Sequence, residues 1–302
     1  MPSVRFPLAA LAGLLALPAA VAQEYRIQVV ARNLARPTGI AAAGPNKIYF
    51  TQLPTPGVAG PAGGRNTVSV LNPNSGRVRT LVAGEPEPTN LAVTRRGGVY
   101  WTCKSAGVIV ELEDGDQANV IFRGLDKPTG IAAFPSGLGL FWTEVPTPGV
   151  GGGAGGRNTV VFGLENGGFE VPIDTGDPEP TDVAVDRDGV VYWTCKSAGV
   201  IVRFADGEEE VIAAGLSQPT GLATDYRGNL YFTEVPTPGV GGAAGGRNKV
   251  SKLDLETGRV TLIRAGDPDP VDVTALPDGS VYWTCRSAGV IVEATPKRRG
   301  RD

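Results

Sequence analysis

The sequence predicts an all-β fold: a six-bladed β-propeller made of three tandem two-blade repeats, closed by the N-terminal strand completing the last blade. Three observations carry this expectation. The tripeptide Pro-Thr-Gly recurs every 91 residues, at Pro37, Pro128 and Pro219. Each long unit is itself double, because the turn, apolar strand, Gly turn and aromatic strand of Pro128 to Glu144 return in Pro180 to Cys195. The chain ends are complementary. Tyr25 to Val30 reads as an outer strand without inner strands of its own, whereas the last half-unit stops after Gly-Val-Ile-Val-Glu-Ala and lacks that strand. A fixed period of this kind marks a repeat architecture, and mutual completion of the ends would protect an exposed sheet edge.

Residues 1–22 read as an export signal. Arg5 supplies the positive charge, Phe6 to Pro18 an apolar stretch, and Ala20-Val21-Ala22 small residues before a cut near Gln23. The stretch is too short for a membrane span and is interrupted by Pro7 and Pro18, and no Cys follows the cut to take a lipid. The expectation is therefore a secreted or periplasmic protein with no membrane anchor, its propeller occupying residues 23–294 and a basic tail residues 295–302. The chain has 28 basic and 31 acidic residues, a net charge of −3, and no basic stripe, so nothing points to nucleic acid. It contains no histidine, which excludes imidazole acids and bases, Ser-His-Asp triads and His-ligated metals.

Within the propeller, Thr38, Thr89, Thr129, Thr181, Thr220 and Val271 are equivalent and mark six half-units. Segments such as Gly-Val-Val-Tyr-Trp-Thr have the β-branched and aromatic residues of strands, and no half-unit shows a helical period. The half-unit spacings alternate 51, 40, 52, 39 and 51 residues, lengths that suit four short strands per blade. Odd blades carry a long glycine-rich loop, near Glu144 to Asn158 and its counterparts, where even blades carry only Cys-Lys-Ser-Ala-Gly. The three loops are expected to share one face with the three Cys turns, around one mouth of the channel. Irregular loops on a rigid scaffold are where binding concentrates, so a small molecule, a glycan or a protein is the partner expected there.

Two rings of polar positions follow from the alignment. At the end of the second strand stand Gln52, Cys103, Glu144, Cys195, Glu234 and Cys285; at the start of the innermost strand stand Gly39, Asn90, Gly130, Asp182, Gly221 and Asp272. Asn90, Asp182 and Asp272 face the axis in this reading, and converging oxygen ligands suit a hard cation, Ca2+ or Mg2+. The alternative is that each bonds its own turn backbone. Each loop ends in Gly-Gly-Arg-Asn, so Arg65, Arg157 and Arg247 are placed either to bridge Gln52, Glu144 and Glu234 or to hold a ligand carboxylate. The three cysteines lie on alternate blades, too far apart to pair, and are expected reduced and buried. Lys104, Lys196 and Arg286 follow them and would lower their pKa only if the site were open.

The segments Pro-Thr-Gly-Leu-Ala-Thr-Asp-Tyr-Arg-Gly-Asn-Leu-Tyr-Phe-Thr-Glu and Pro-Thr-Asp-Val-Ala-Val-Asp-Arg-Asp-Gly-Val-Val-Tyr-Trp-Thr resemble the repeat of NHL and streptogramin-lyase-type propellers over nearly all of the mature chain. The resemblance implies the six-bladed fold, which hosts lactonases, lyases and binding proteins. Gluconolactonase-like members hold a metal through carboxylate and amide side chains at the channel mouth, in line with the axial ring. Streptogramin lyases rely on a histidine with magnesium, which this chain cannot supply. Two functional classes therefore stand: a ligand-binding or interaction propeller, and a metal-dependent lactone or ester hydrolase working without histidine.

Overall fold

A computed structural model describes residues 25–54, 65–113, 116–134, 137–146, 158–236 and 247–297. These residues form six four-stranded antiparallel sheets in a ring. The first blade is built from Pro37–Gly44, Lys47–Gln52, Thr67–Asn72 and Arg77–Ala83; the second from Pro88–Val93, Val99–Cys103, Val108–Glu113 and Gln117–Arg123. The third blade uses Pro128–Ala133, Gly139–Glu144, Thr159–Leu164 and Glu170–Thr175, and the fourth Pro180–Val185, Val191–Cys195, Val200–Ala205 and Glu208–Ala213. The fifth uses Pro219–Thr224, Asn229–Glu234, Lys249–Asp254 and Val260–Ala265. The sixth combines Pro270–Ala275, Val281–Cys285 and Val290–Pro296 with the N-terminal strand Tyr25–Ala31. That last pairing runs from Tyr25 opposite Pro296 to Ala31 opposite Ile291, so the ring closes as the chain ends predict. The final strand extends two residues past position 294, into the segment read from sequence as tail.

Apolar side chains fill the spaces between blades. Tyr100, Ile109 and Phe122 of the second blade meet Ile131, Leu140 and Trp142 of the third in one continuous cluster. The four tryptophans, Trp101, Trp142, Trp193 and Trp283, are wholly buried. Burial of both faces of every sheet explains the dense Val, Ile and aromatic content of the second strands, since each such side chain adds about 1.5–3 kcal/mol when removed from water.

Register settles the equivalence of the half-units. The proline opening each innermost strand lies opposite the last residue of the second strand in all six blades: Pro37 opposite Gln52, Pro88 opposite Cys103, Pro128 opposite Glu144, Pro180 opposite Cys195, Pro219 opposite Glu234 and Pro270 opposite Cys285. The described ends of the long loops thus share the face of the Cys turns, while residues 55–64, 147–157 and 237–246 lie outside the described residues. Just after each proline the innermost strand is bulged. A bulge frees a backbone N–H and re-aims a side chain. A buried threonine on the second strand takes that N–H: Gly39 donates to Thr51 at 2.8 Å, Gly130 to Thr143 at 2.9 Å and Asp182 to Thr194 at 3.1 Å.

Candidate functional site

The residue before each of the six prolines, Arg36, Glu87, Lys127, Glu179, Gln218 and Asp269, adopts a left-handed conformation with φ between 52° and 60°. Such a conformation costs a non-glycine residue about 1 kcal/mol or more. Here it is compensated by a shared contact. The carbonyl of each of these residues accepts the N–H of the residue that leaves the second strand, namely Leu53, Lys104, Val145, Lys196, Val235 and Arg286 in turn. The clamp gathers charged groups around the loop-side mouth of the channel. A cavity of about 300 Å³ opens there, with Arg36, Glu87, Lys104, Glu179, Lys196 and Arg286 among its lining and Leu53, Val145 and Val271 as its apolar wall.

The floor of this cavity is the axial ring. Asn90, Asp182 and Asp272 all line it, as the alignment of half-units predicts. The glycines between them are required by space, because a Cβ on Gly39, Gly130 or Gly221 would stand 2.5–2.6 Å from the Cα of Asn90, Asp182 or Asp272. The three polar side chains are held by backbone. Asp182 accepts N–H bonds from Val183 (2.9 Å) and Leu222 (2.7 Å), and Asp272 from Val273 (2.7 Å) and Ile40 (2.8 Å), so each also ties its own blade to the next. Asn90 accepts from Leu91 at 2.6 Å and donates its amide to Asp182 at 2.8 Å. Both carboxyls are buried and interact with each other across the axis. Burial raises Asp182 well above the usual carboxylate range, and the charge of Asp272 raises it further. Asp272 is raised to about 7, again by burial, with the N–H bonds of Ile40 and Val273 opposing the shift. Below the floor the channel narrows to about 90 Å³ among alanines, including Ala41, Ala92, Ala132, Ala184 and Ala223.

A cation at this ring would meet carboxyl oxygens that each accept a backbone N–H, and an Asn90 whose amide nitrogen, rather than its oxygen, faces Asp182. As oriented, the three side chains form a hydrogen-bonded plug and do not fit a Ca2+ or Mg2+ cradle.

The outer ring divides into two wirings. In odd blades the side chain at the end of the second strand captures the connection that leads into its own blade: Gln52 accepts from Ala35 N–H, Glu144 from Asp126 N–H and Glu234 from Ser217 N–H. The expected bridges to arginine are not formed by Gln52 or Glu234. Gln52 spends its amide on Thr67 and Ser69, and Glu234 pairs with Lys249 at 3.5 Å, while Arg65 and Arg247 are exposed; Arg157 lies outside the described residues. Backbone N–H donors of the connections and, at Glu234, a lysine on the adjacent strand do the work assigned from sequence to arginine.

In even blades the carboxylate comes instead from the connection. Glu85, Asp177 and Asp267 accept the indole N–H of Trp101, Trp193 and Trp283. The Cys103 and Cys195 thiols donate to the same carboxylates at 3.4 and 3.2 Å. All three cysteines are free and buried. Burial, then the neighbouring carboxylate, pushes each thiol pKa up, so these are structural thiols and not activated nucleophiles. The acids on the connections were not singled out from sequence, nor were the buried Asn66, Asn158 and Asn248, whose amides donate to the carbonyls of Glu85, Asp177 and Asp267. Their signal was present, since Arg-Asn closes every long loop and an acid stands three residues before each even-blade proline.

No protein-family profile and no curated protein matches the chain. Among solved structures it is similar to a gluconolactonase from Xanthomonas campestris (15% identity, 90% of each chain covered, TM-score 0.70). It is also similar to virginiamycin B lyase from Staphylococcus aureus (18% identity, 92% of this chain and 90% of that one, TM-score 0.59). A third likeness is to the nidogen/laminin complex (18% identity, 80% of this chain and 85% of that one, TM-score 0.60). At these identities the likeness establishes the six-bladed propeller fold, which serves enzymes and interaction proteins alike.

Proposed function

We propose that this protein is an exported ligand-binding propeller that takes a small molecule at the loop-side mouth of its channel. The observation that carries the reading is the cavity of about 300 Å³ beneath the described loop ends, walled by apolar side chains and rimmed by converging charges. A volume of this size, with a few polar groups that fix orientation, suits a small ligand better than a protein surface. Export rests on residues 1–22, and three reduced thiols are compatible with it because all three are buried.

A metal-dependent lactone or ester hydrolase is the second reading, favoured by the likeness to a gluconolactonase. It needs the axial ring to take a divalent cation, and the orientation of Asn90 and the bonds to the carboxyls argue against that. A lyase reading is weaker still: a histidine-to-alanine variant of virginiamycin B lyase is described as catalytically inactive, and this chain has no histidine.

A thermal-shift screen of small molecules, with Ca2+ and Mg2+ as separate arms, tests both readings. The expected result is stabilisation by at least one organic compound that disappears in Val271→Phe, which fills the mouth, with no response to either cation. Organic hits unaffected by Val271→Phe would remove the mouth as the site. Cation stabilisation lost in Asp182→Asn/Asp272→Asn would favour the hydrolase.

A further inference from the structure

Three equivalent positions at the mouth carry a base followed by serine: Lys104-Ser105, Lys196-Ser197 and Arg286-Ser287. The backbone N–H of each base bonds the carbonyl of an acid on the lead-in to its own blade, Glu87, Glu179 or Asp269. In the fourth and sixth blades this trio is closed. Lys196 Nζ lies 3.5 Å from Glu179, whose carboxylate also accepts the Ser197 hydroxyl. Arg286 donates to Asp269 through Nε at 2.8 Å and a terminal nitrogen at 3.2 Å, and Ser287 donates to the same carboxylate at 2.9 Å. In the second blade the residue types are those of the fourth, yet the trio is open. Among the described residues no carboxylate lies within ion-pair distance of Lys104, and the Ser105 hydroxyl makes no counterpart to the bonds that Ser197 and Ser287 give their acids.

We infer that Lys104 and Ser105 hold the carboxylate of a small monocarboxylic acid whose apolar body lies against Leu53, Val145 and Val271. The two sister blades show what this base–serine pair grips when it is closed, and it is a carboxylate in both. Lys104 is half-buried at the wall of the cavity; after burial itself, Glu87 is the strongest influence on it and favours its charge, while Lys127 and Lys196 oppose it and Glu179 supports it more weakly. Burial depresses its pKa, so an arriving anion relieves both the desolvation and the like-charge repulsion. At the rim four cationic side chains, Arg36, Lys104, Lys196 and Arg286, face three acids, Glu87, Glu179 and Asp269, a surplus of one positive charge above the floor carboxyls of Asp182 and Asp272, whose ionisation burial disfavours. A monoanion matches that surplus. A phosphate dianion exceeds it.

This inference rests on the mouth being the binding site, and the experiment separates the two claims. Isothermal titration is run with hexanoate, benzoate and 3-phenylpropionate, with their carboxamides and with phenyl phosphate, against the parent protein, Lys104→Gln, Glu87→Gln and Val271→Phe. At least one acid should bind the parent and lose affinity in Val271→Phe. Its amide should bind at least about tenfold more weakly, and Lys104→Gln should lose about tenfold or more, the scale of one charge-assisted hydrogen bond. Glu87→Gln should tighten binding by removing the competing carboxylate. Amides binding as tightly as acids, or phenyl phosphate binding more tightly, would overturn the carboxylate assignment and leave the mouth intact as a site. Acid binding insensitive to both Val271→Phe and Lys104→Gln would overturn the mouth as well, and absence of any binding at millimolar concentration would reject the monocarboxylate. Unchanged melting of Lys104→Gln establishes that a lost signal is not unfolding.

Discussion

Odd and even blades solve one structural problem in opposite directions. Each must tie the end of its second strand to the connection that leads into it. Odd blades place the acceptor on the strand, as Gln52, Glu144 or Glu234, and draw the donor from the backbone of the connection. Even blades place the acceptor on the connection, as Glu85, Asp177 or Asp267, and draw donors from the strand, an indole N–H in all three and a thiol in two. At the axis the partition recurs: even blades supply Asn90, Asp182 and Asp272, and odd blades supply the glycines that make way for them. Long loops accompany the odd wiring and base–serine turns the even one. The lesson is that a two-blade repeat separates roles that a one-blade repeat would have to combine at every position.

The sharpest way to break this comparison is at the axis. Gly221→Ala places a Cβ 2.6 Å from the Cα of Asp272, a backbone atom that cannot swing aside. It is expected to cost about 3 kcal/mol in urea unfolding, the upper range for overpacking. Asn90→Ala occupies the other side of the partition, keeps its Cβ and loses the bonds to Asp182 and from Leu91 N–H, for about 2 kcal/mol. Equal costs at the two positions would show that the blades are not divided as described.

The outer wiring gives an intermediate effect. Asp267→Ala leaves the buried Trp283 N–H without an acceptor and should destabilise by about 2 kcal/mol. Glu234→Gln should cost under about 1 kcal/mol, because Gln52 already performs the same capture in the first blade and the Lys249 pair is half-exposed. Comparable losses in the two variants would mean that the even wiring is no more dependent on its carboxylate than the odd.

The smallest and most diagnostic effect is on pH dependence. Asp272 is raised to about 7 in the folded protein, so between about pH 4 and pH 7 the folded state binds protons that the unfolded state releases. The contribution of Asp272 is therefore largest at low pH within that window and is lost as pH rises through about 7, and Asp182, also raised, acts in the same direction. Asp174, raised to about 8 by burial and by Asp177 and Glu209, acts in the same direction. Urea midpoints measured from pH 5 to pH 8.5 should decline, and Asp272→Asn should flatten part of the slope while Asp174→Asn flattens another part. A slope unchanged in Asp272→Asn would show that the axial carboxyls do not share their charge as described.

Much of this was legible in the sequence. Pro-Thr at fixed intervals marks the innermost strands, and the unmatched strand Tyr25–Ala31 announces its partner at Val290–Pro296. The axial ring was found because Asn90, Asp182 and Asp272 alternate with glycine. The arginine bridges to Gln52 and Glu234 failed because sequence proximity at a loop end does not rank competing donors. Ser217 N–H and Lys249 reach Glu234 from a connection and a strand whose approach depends on the sheet being assembled. Glu85, Asp177 and Asp267 escaped notice because their partners, the indoles of Trp101, Trp193 and Trp283, are each 16 residues further along the chain, a separation with no local periodicity to reveal it.

The sequence by itself determined the number of blades, their pairing into units, the site of closure and which residue types reach the axis, since each follows from local strand and turn chemistry repeated in register. Only the tertiary structure decided that Asp182 and Asp272 are a buried, mutually interacting pair and that the base–serine turn is closed at Lys196 and Arg286 but open at Lys104. Lys104-Ser105 and Lys196-Ser197 are the same dipeptide in the same local context. What distinguishes them is position in space: Lys196 lies 3.5 Å from the Glu179 carboxylate, whereas Lys104 has no described carboxylate within ion-pair distance, and Coulomb interactions depend on distance through space rather than on position along the chain.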